Sequence, residues 1–230
     1  MWDVPKWKTL ILDYLFGKAP GIDMKVINNR LVRYDGTPVK YVQTPNTSGV
    51  IVPKYLVIHY GANSSKDNLV KTLTSKIAKV SAQLVIGRDG EVVELADLNA
   101  KCWHAGQSEW KNLKGMNAYT IGIELDNYGR LIKTADGGWI TYFGKKVDPS
   151  EVIVAKHKLG GPMSGWHTYT EAQLDSLEEV GLALFDHYKL EDVLGHEDIA
   201  PGRKSDPGPA FPMVSFRSKM HGRESEDGLT

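Results

Sequence analysis

Tyr55-Leu56-Val57-Ile58-His59-Tyr60 runs into Gly61-Ala62-Asn63 and then into a periodic stretch opened by Ser64-Ser65. The first six residues are apolar, partly β-branched and too few for a helix, so they read as a buried strand. Gly61-Ala62-Asn63 turns the chain. Ser64 or Ser65 can cap a helix through about Val80, with Leu69, Leu73, Ile77 and Val80 on one face.

The same alternation of element types continues outward. Leu84-Val85-Ile86 reads as a strand that turns at Asp89-Gly90, and Val92-Val93-Glu94-Leu95 returns as its hairpin partner. Thr120-Ile121-Gly122-Ile123-Glu124-Leu125 is another buried strand. Thr170-Glu171-Ala172-Gln173 matches a capping box, in which the Thr hydroxyl and the Gln amide satisfy free backbone groups. Leu174, Leu177, Val180, Leu184 and Tyr188 then give a helical stripe, and Val193-Leu194-Gly195 leads into His196.

Upstream, residues 4–16 suit a short amphipathic helix, Val26-Ile27 and Leu31-Val32 suit short hairpin strands, and residues 45–53 read as a loop. Residues 130–168, rich in Gly, Lys and aromatics, read as a hairpin insertion and loop on the surface. The tail from Arg217 reads as solvated and prone to disorder. The expectation is one α/β domain over residues 51–216, with a central mixed β-sheet flanked by helices. Residues 1–50 form an N-terminal extension packed on it and residues 217–230 a C-terminal tail.

At 230 residues the chain is long enough for a substantial core. Lys plus Arg and Asp plus Glu each total 28, a balance that gives no support for nucleic-acid binding. No run approaches the roughly 18 apolar residues of a membrane span. Lys6 and Lys8 precede Thr9-Leu10-Ile11-Leu12, but Asp13 interrupts the run and no small-residue cleavage site follows. Synthesis in the cytoplasm without a signal peptide is expected, with a holin, a secretion machine or lysis as the route to the outside. The single cysteine, Cys102, excludes an intrachain disulfide; beside Trp103 and His104 it could be a nucleophile or ligand, but such a residue is more often a small buried hydrophobe.

His59 ends the first strand, His196 sits in Leu194-Gly195-His196-Glu197-Asp198, and Asp206 follows in Gly202-Arg203-Lys204-Ser205-Asp206-Pro207-Gly208. Each histidine alone is more often a satisfied structural residue. Together the two imidazoles and the carboxylate make a three-ligand set, which leaves the fourth tetrahedral position of a zinc ion open for a water to be activated. Prolines and glycines bracket Asp206 in a rigid loop. Lys204, two residues earlier, points to the same side if the segment is extended and could stabilise an oxyanion; by spacing alone a surface lysine is favoured. Glu124 could face a cleft and shuttle a proton, or face solvent by ordinary alternation. His104, in Trp103-His104-Ala105-Gly106, could line the same cleft or close the site as a fourth ligand; lining is preferred. His157, His167, His187 and His221 read as surface or packing residues.

The strand ending in His59, Trp103-His104-Ala105-Gly106, Ile121-Gly122-Ile123-Glu124 and the block from Gly195 to Pro209 together resemble the type-2 family of zinc-dependent N-acetylmuramoyl-L-alanine amidases. That family takes in the AmpD-like enzymes, a phage lysozyme and the peptidoglycan recognition proteins. The resemblance covers roughly residues 50–215, and Gly195 to Gly208 is its most specific part. It implies zinc on His59, His196 and Asp206, Glu124 as the catalytic carboxylate and Lys204 as the charge stabiliser. It also implies a peptidoglycan or muropeptide substrate, cleaved at the muramoyl–L-alanine amide. Retention of all five residues favours an active enzyme over a recognition module without turnover. Lysis of the wall in the manner of a phage endolysin is the expectation; recycling of anhydro-muropeptides in the cytoplasm is the alternative. Many members carry Ser-x-His and an aromatic where this chain has Ser81-Ala82-Gln83-Leu84, so an aromatic hydroxyl that assists catalysis in some of them is missing and more of the burden falls on Glu124.

Overall fold

The computed structural model describes residues 24–222. The helix expected over 4–16 lies outside them. In chain order, β1 (Met24–Ile27) and β2 (Arg30–Arg33) form a hairpin, β3 (Lys40–Tyr41) and β4 (Thr47–Val50) follow, and β5 (Tyr55–Tyr60) leads into helix α1 (Lys66–Leu73). β6 (Leu84–Ile86), β7 (Val92–Glu94) and β8 (Ala100–Cys102) precede a small hairpin of β9 (Glu109–Trp110) and β10 (Leu113–Lys114). After β11 (Thr120–Leu125) come β12 (Arg130–Lys133), β13 (Trp139–Ile140), β14 (Lys146–Val147), β15 (Val152–Lys156) and β16 (Met163–His167). Helix α2 (Glu171–Tyr188), β17 (Asp192–Gly195), the single turn α3 (His196–Ile199) and α4 (Met213–Met220) complete the described chain.

The central sheet is mixed, with strand order β17-β5-β11-β6-β7-β3. β17, β5, β11 and β6 run parallel, β6 and β7 form the antiparallel hairpin read from the sequence, and β3 adds a parallel edge. Side chains alternate between its faces. Leu56, Ile58, Ile121, Ile123, Leu84 and Ile86 point to one face, where Leu177, Val180 and Leu184 of α2 and Phe216 and Met220 of α4 cover them. On the other face Val85 and Val93 pack under Leu69 and Leu73 of α1. Residues 24–50 enter this fold directly: Met24, Leu31 and Val39 belong to the main core cluster.

Four local readings differ from the structure. Helix α1 stops at Leu73, and Ile77, expected on its buried face, is 92% exposed. The cause lies far away in sequence: Asn46 Nδ2 donates to the carbonyls of Ser75 and Val80, both at 2.9 Å, and so holds this segment out of a helix. Within the stretch 45–53, Thr47–Val50 pairs with β8 across a bulge. Thr170 caps α2 as expected, accepting from the Gln173 amide at 3.2 Å, but the Gln173 side chain donates into the sheet, to the Ile86 carbonyl at 2.9 Å. Arg217 and its neighbours are helical: Met220 is buried and Arg217 donates to the Val193 carbonyl. The tail beyond residue 222 lies outside the described residues.

Residues 130–167 form a five-stranded antiparallel sheet of order β14-β13-β12-β16-β15, where a surface hairpin and loop was expected. Trp166 anchors it at 2% exposure, its Nε1 donating to the Ala155 carbonyl. Cys102 is fully buried and burial pushes its thiol up to about 12, which fits the small-hydrophobe reading. No described helix is long and apolar enough to cross a membrane.

Candidate metal centre

The carboxyl ends of parallel strands are where open α/β sheets gather their ligands, and the register of β5, β11 and β17 uses this. His59 pairs with Glu124 across the parallel β5–β11 ladder, so both side chains leave the same face, opposite α2. Gly195 pairs with Ile58, which sets His196, the next residue, beside His59 at the start of α3. The loop after α3 returns Asp206 to the same point, tied by the Glu197 amide donating to the Asp206 carbonyl at 2.9 Å.

His59 Nδ1 lies 2.9 Å from His196 Nδ1, and Asp206 Oδ2 lies 2.9 Å and 3.0 Å from those two nitrogens. These atoms form the His-His-Asp group among the described residues that could hold a metal ion, and all three residues are buried.

The hydrogen bonds behind the ligands decide which nitrogens carry protons. His196 Nε2 meets the Ala105 carbonyl at 3.1 Å; a carbonyl only accepts, so Nε2 holds the proton and neutral His196 presents a bare Nδ1. His59 Nε2 lies 3.0 Å from His104 Nδ1, His104 Nε2 lies 3.3 Å from Thr120 Oγ1, and Thr120 donates to the Met116 carbonyl at 2.7 Å. A run that ends on a carbonyl has one consistent direction, from His59 towards Met116. His59 Nδ1 is therefore bare as well. Burial lowers His59 to about 4, with Asp206 opposing. Burial works against ionised Asp206, but the two imidazoles beside it keep its carboxyl well below the usual range. Two bare imidazole nitrogens and a carboxylate aimed at one point repel each other unless a cation lies between them, so the donor set fits a metal ion.

His104 stands behind His59, outside the ligand group, and lines the cleft. Its ring packs over Gly122, where a Cβ would come within 2.6 Å of His104 Cγ. Glu124 is half-buried, and its Oε2 is buried without a hydrogen-bond partner. Burial, then the charge of Asp206, raises its carboxyl to about 8, with Lys204 opposing. Lys204 is exposed on the rim, and its ammonium makes no hydrogen bond or ion pair among the described residues. His59, His196, Asp206, Glu124, Lys204 and His104 thus share one cleft of about 400 Å³, with Trp103 and Ser81 also on its wall. A larger depression of about 570 Å³ beyond Arg203 contains none of the ligands.

Sequence reading missed the second layer. Ala105, Thr120, Gly122 and Asn117 position His59, His104 and His196 indirectly; the Asn117 side chain accepts from the His104 and Ala105 amides at 3.1 Å and 2.7 Å. Gly122 within Ile-Gly-Ile-Glu was the one visible signal. Gln83 is fully buried and stitches strands together, accepting from the Gly122 amide at 2.8 Å and donating to the Ala100 carbonyl at 2.8 Å. Of the histidines read as packing residues, His157 is bound to Glu197 beside the metal turn and His167 is fully buried.

A family model described as N-acetylmuramoyl-L-alanine amidase matches residues 49–209. The 1,6-anhydro-N-acetylmuramyl-L-alanine amidase AmpD of Escherichia coli (strain K12) is 33% identical over 141 residues, 60% of this chain and 57% of its own length. The N-acetylmuramoyl-L-alanine amidase AmiD of the same organism is 32% identical over 166 residues, 69% of this chain and 50% of its own length. The chain thus spans about half the length of the curated relatives it matches. A solved complex of E. coli AmiD with anhydro-N-acetylmuramic acid-L-Ala-D-γ-Glu-L-Lys superposes with a TM-score of 0.57 at 24% identity, covering 88% of this chain and 67% of that one. At that identity the likeness is one of fold.

Proposed function

The chain belongs to the N-acetylmuramoyl-L-alanine amidase family, and we propose that it hydrolyses the amide between the lactyl group of N-acetylmuramic acid and L-alanine of the peptidoglycan stem peptide. The observation that carries this reading is the meeting of His59 Nδ1, His196 Nδ1 and Asp206 Oδ2 beside the unpartnered carboxyl of Glu124.

Zinc is the ion this donor set suits, with His59, His196 and Asp206 holding it, and when bound it supplies a Lewis acid that polarises a carbonyl and acidifies water. The remaining work falls to side chains. Glu124 takes a proton from the attacking water and hands it to the leaving amine; burial lifts its carboxyl towards the working pH range, which suits transfer in both directions. Lys204 meets the negative charge that grows on the carbonyl oxygen, and its ammonium has no competing partner among the described residues. His104 lines the cleft and holds the His59 ring and tautomer in place.

The substrate is a stem peptide of the class bound to AmiD, in which D-glutamate is linked through its γ-carboxyl. Two settings for the reaction remain distinct. Lysis of intact wall, in the manner of an endolysin, suits an enzyme that reaches peptidoglycan after release or delivery. Recycling of soluble muropeptides draws support from AmpD, whose name specifies a 1,6-anhydro substrate. Rates on purified sacculi and on soluble anhydro-muropeptides separate the two. Binding to sacculi without release of stem peptides, at full zinc occupancy, contradicts the amidase reading and leaves a recognition module.

A further inference from the structure

A second cavity, of about 320 Å³, lies between the 130–167 sheet and the metal loop. Arg203, Lys204 and Ser205 line both this cavity and the candidate metal cleft, so the two adjoin. Arg130 reaches it from the start of β12. Its Nε and Nη2 donate to Ser164 Oγ at 3.1 Å and 2.8 Å, which fixes the guanidinium and leaves its other donors available.

No Asp or Glu lines the cavity, and Arg130 has no carboxylate partner among the described residues. The acids nearby are already engaged. Glu197 is held by His157 and by Lys158, and Asp198 by Lys158 and the Gly195 amide. Arg203 donates to the carbonyls of Ala105 and Gln107. Arg130, which also lies over the Trp166 ring at 6.0 Å, is thus the guanidinium with neither a carboxylate nor a carbonyl partner among the described residues. Trp166, on the floor, is too buried to offer a ring face to a sugar, and His157 already stacks on it at 5.7 Å. Gly160 and Gly161 put no side chain across the mouth. The cavity offers fixed positive charge and little else.

We propose that this cavity is a subsite for a free carboxylate of the stem peptide, with Arg130 as its anchor and specificity-determining residue. The assignment rests on the amidase reading above. In that substrate the γ-linkage leaves the D-glutamate α-carboxylate free, and the third residue carries a further one. A planar guanidinium held on one edge by Ser164 presents the paired donors that a carboxylate accepts. The 130–167 sheet then forms one wall of the substrate path.

The test is calorimetric titration of the zinc-loaded protein with the tripeptide L-Ala-D-γ-Glu-L-Lys, and with versions in which each carboxylate is converted to a carboxamide. The wild type is expected to bind the diacid roughly tenfold more tightly than the fully amidated peptide. Arg130→Gln, at an exposed position, should melt like the wild type and bind both peptides alike, at the weaker affinity. Ser164→Ala should fall between. Preference for the diacid retained in Arg130→Gln, or absent from the wild type, overturns the proposal. Cleavage of a muramoyl tripeptide by the same preparations is scored separately. An Arg130-dependent preference without cleavage would sink the amidase reading and spare the subsite, and cleavage without the preference would do the reverse.

Discussion

His59 Nε2 and His104 Nδ1 lie 3.0 Å apart, and that contact sets which His59 nitrogen faces the metal point. The run continues through Thr120 to the Met116 carbonyl, so the His59 tautomer is decided three residues along it. Replacing His104 by Phe, or Thr120 by Val, should weaken zinc binding roughly 10- to 100-fold, the range that loss of outer-shell partners usually costs. Competition with a chromophoric chelator measures this without reference to turnover. Unchanged affinity in both variants would show that the His59 tautomer is set in another way.

Glu124 shares the face of His59 but is not one of the ligand group. Glu124→Gln should therefore keep zinc affinity within about twofold while kcat falls by roughly 100-fold or more, the usual contribution of a general acid–base. Parallel loss of zinc would reassign Glu124 to the metal.

Gly122 leaves room for the His104 ring, and an added Cβ would sit 2.6 Å from His104 Cγ. Both neighbouring strands are hydrogen-bonded to β11, so the backbone cannot retreat. Gly122→Ala should cost about 1–3 kcal/mol in denaturant unfolding, as overpacked cores do, and weaken zinc binding with it. A variant as stable as the parent would mean that the ring swings aside freely.

His167 is fully buried, and burial, then the charges of Arg88 and Lys145, lowers it to about 3. It stays neutral in the folded chain, whereas the unfolded chain protonates it near pH 6.5. Below that pH the unfolded state binds more protons, so stability falls as pH falls, by up to about 1.4 kcal/mol per pH unit, until the folded group titrates. Above pH 6.5 the contribution is flat. His167→Asn keeps an acceptor for the Tyr128 amide, which His167 Nδ1 meets at 3.1 Å, and should flatten the pH dependence of the denaturation midpoint between pH 6.5 and 4.5. Identical slopes for variant and parent would refute this.

Much of the architecture was readable because it is locally encoded. β5, β6 and β11 are short apolar runs, and α2 carries a 3.6-residue stripe behind a Thr cap. The end of α1 was not readable, because Asn46 decides it through hydrogen bonds nearly 30 residues away. Residues 130–167 show little alternation and many glycines, and their sheet depends on Trp166 reaching the interior. At the site, ligand types and loop context pointed to His59, His196 and Asp206. The tautomer chain did not show, because Thr120 and the Ala105 carbonyl act through position, with no distinctive residue type.

The central claim is tested most directly by mass analysis of a purified muramoyl tripeptide incubated with the protein, with zinc bound and after chelation. The account predicts free lactyl-bearing muramic acid and an intact peptide beginning with L-alanine, formed only with zinc and restored when zinc is returned. Cleavage within the stem peptide, or no product at stoichiometric zinc, would contradict it.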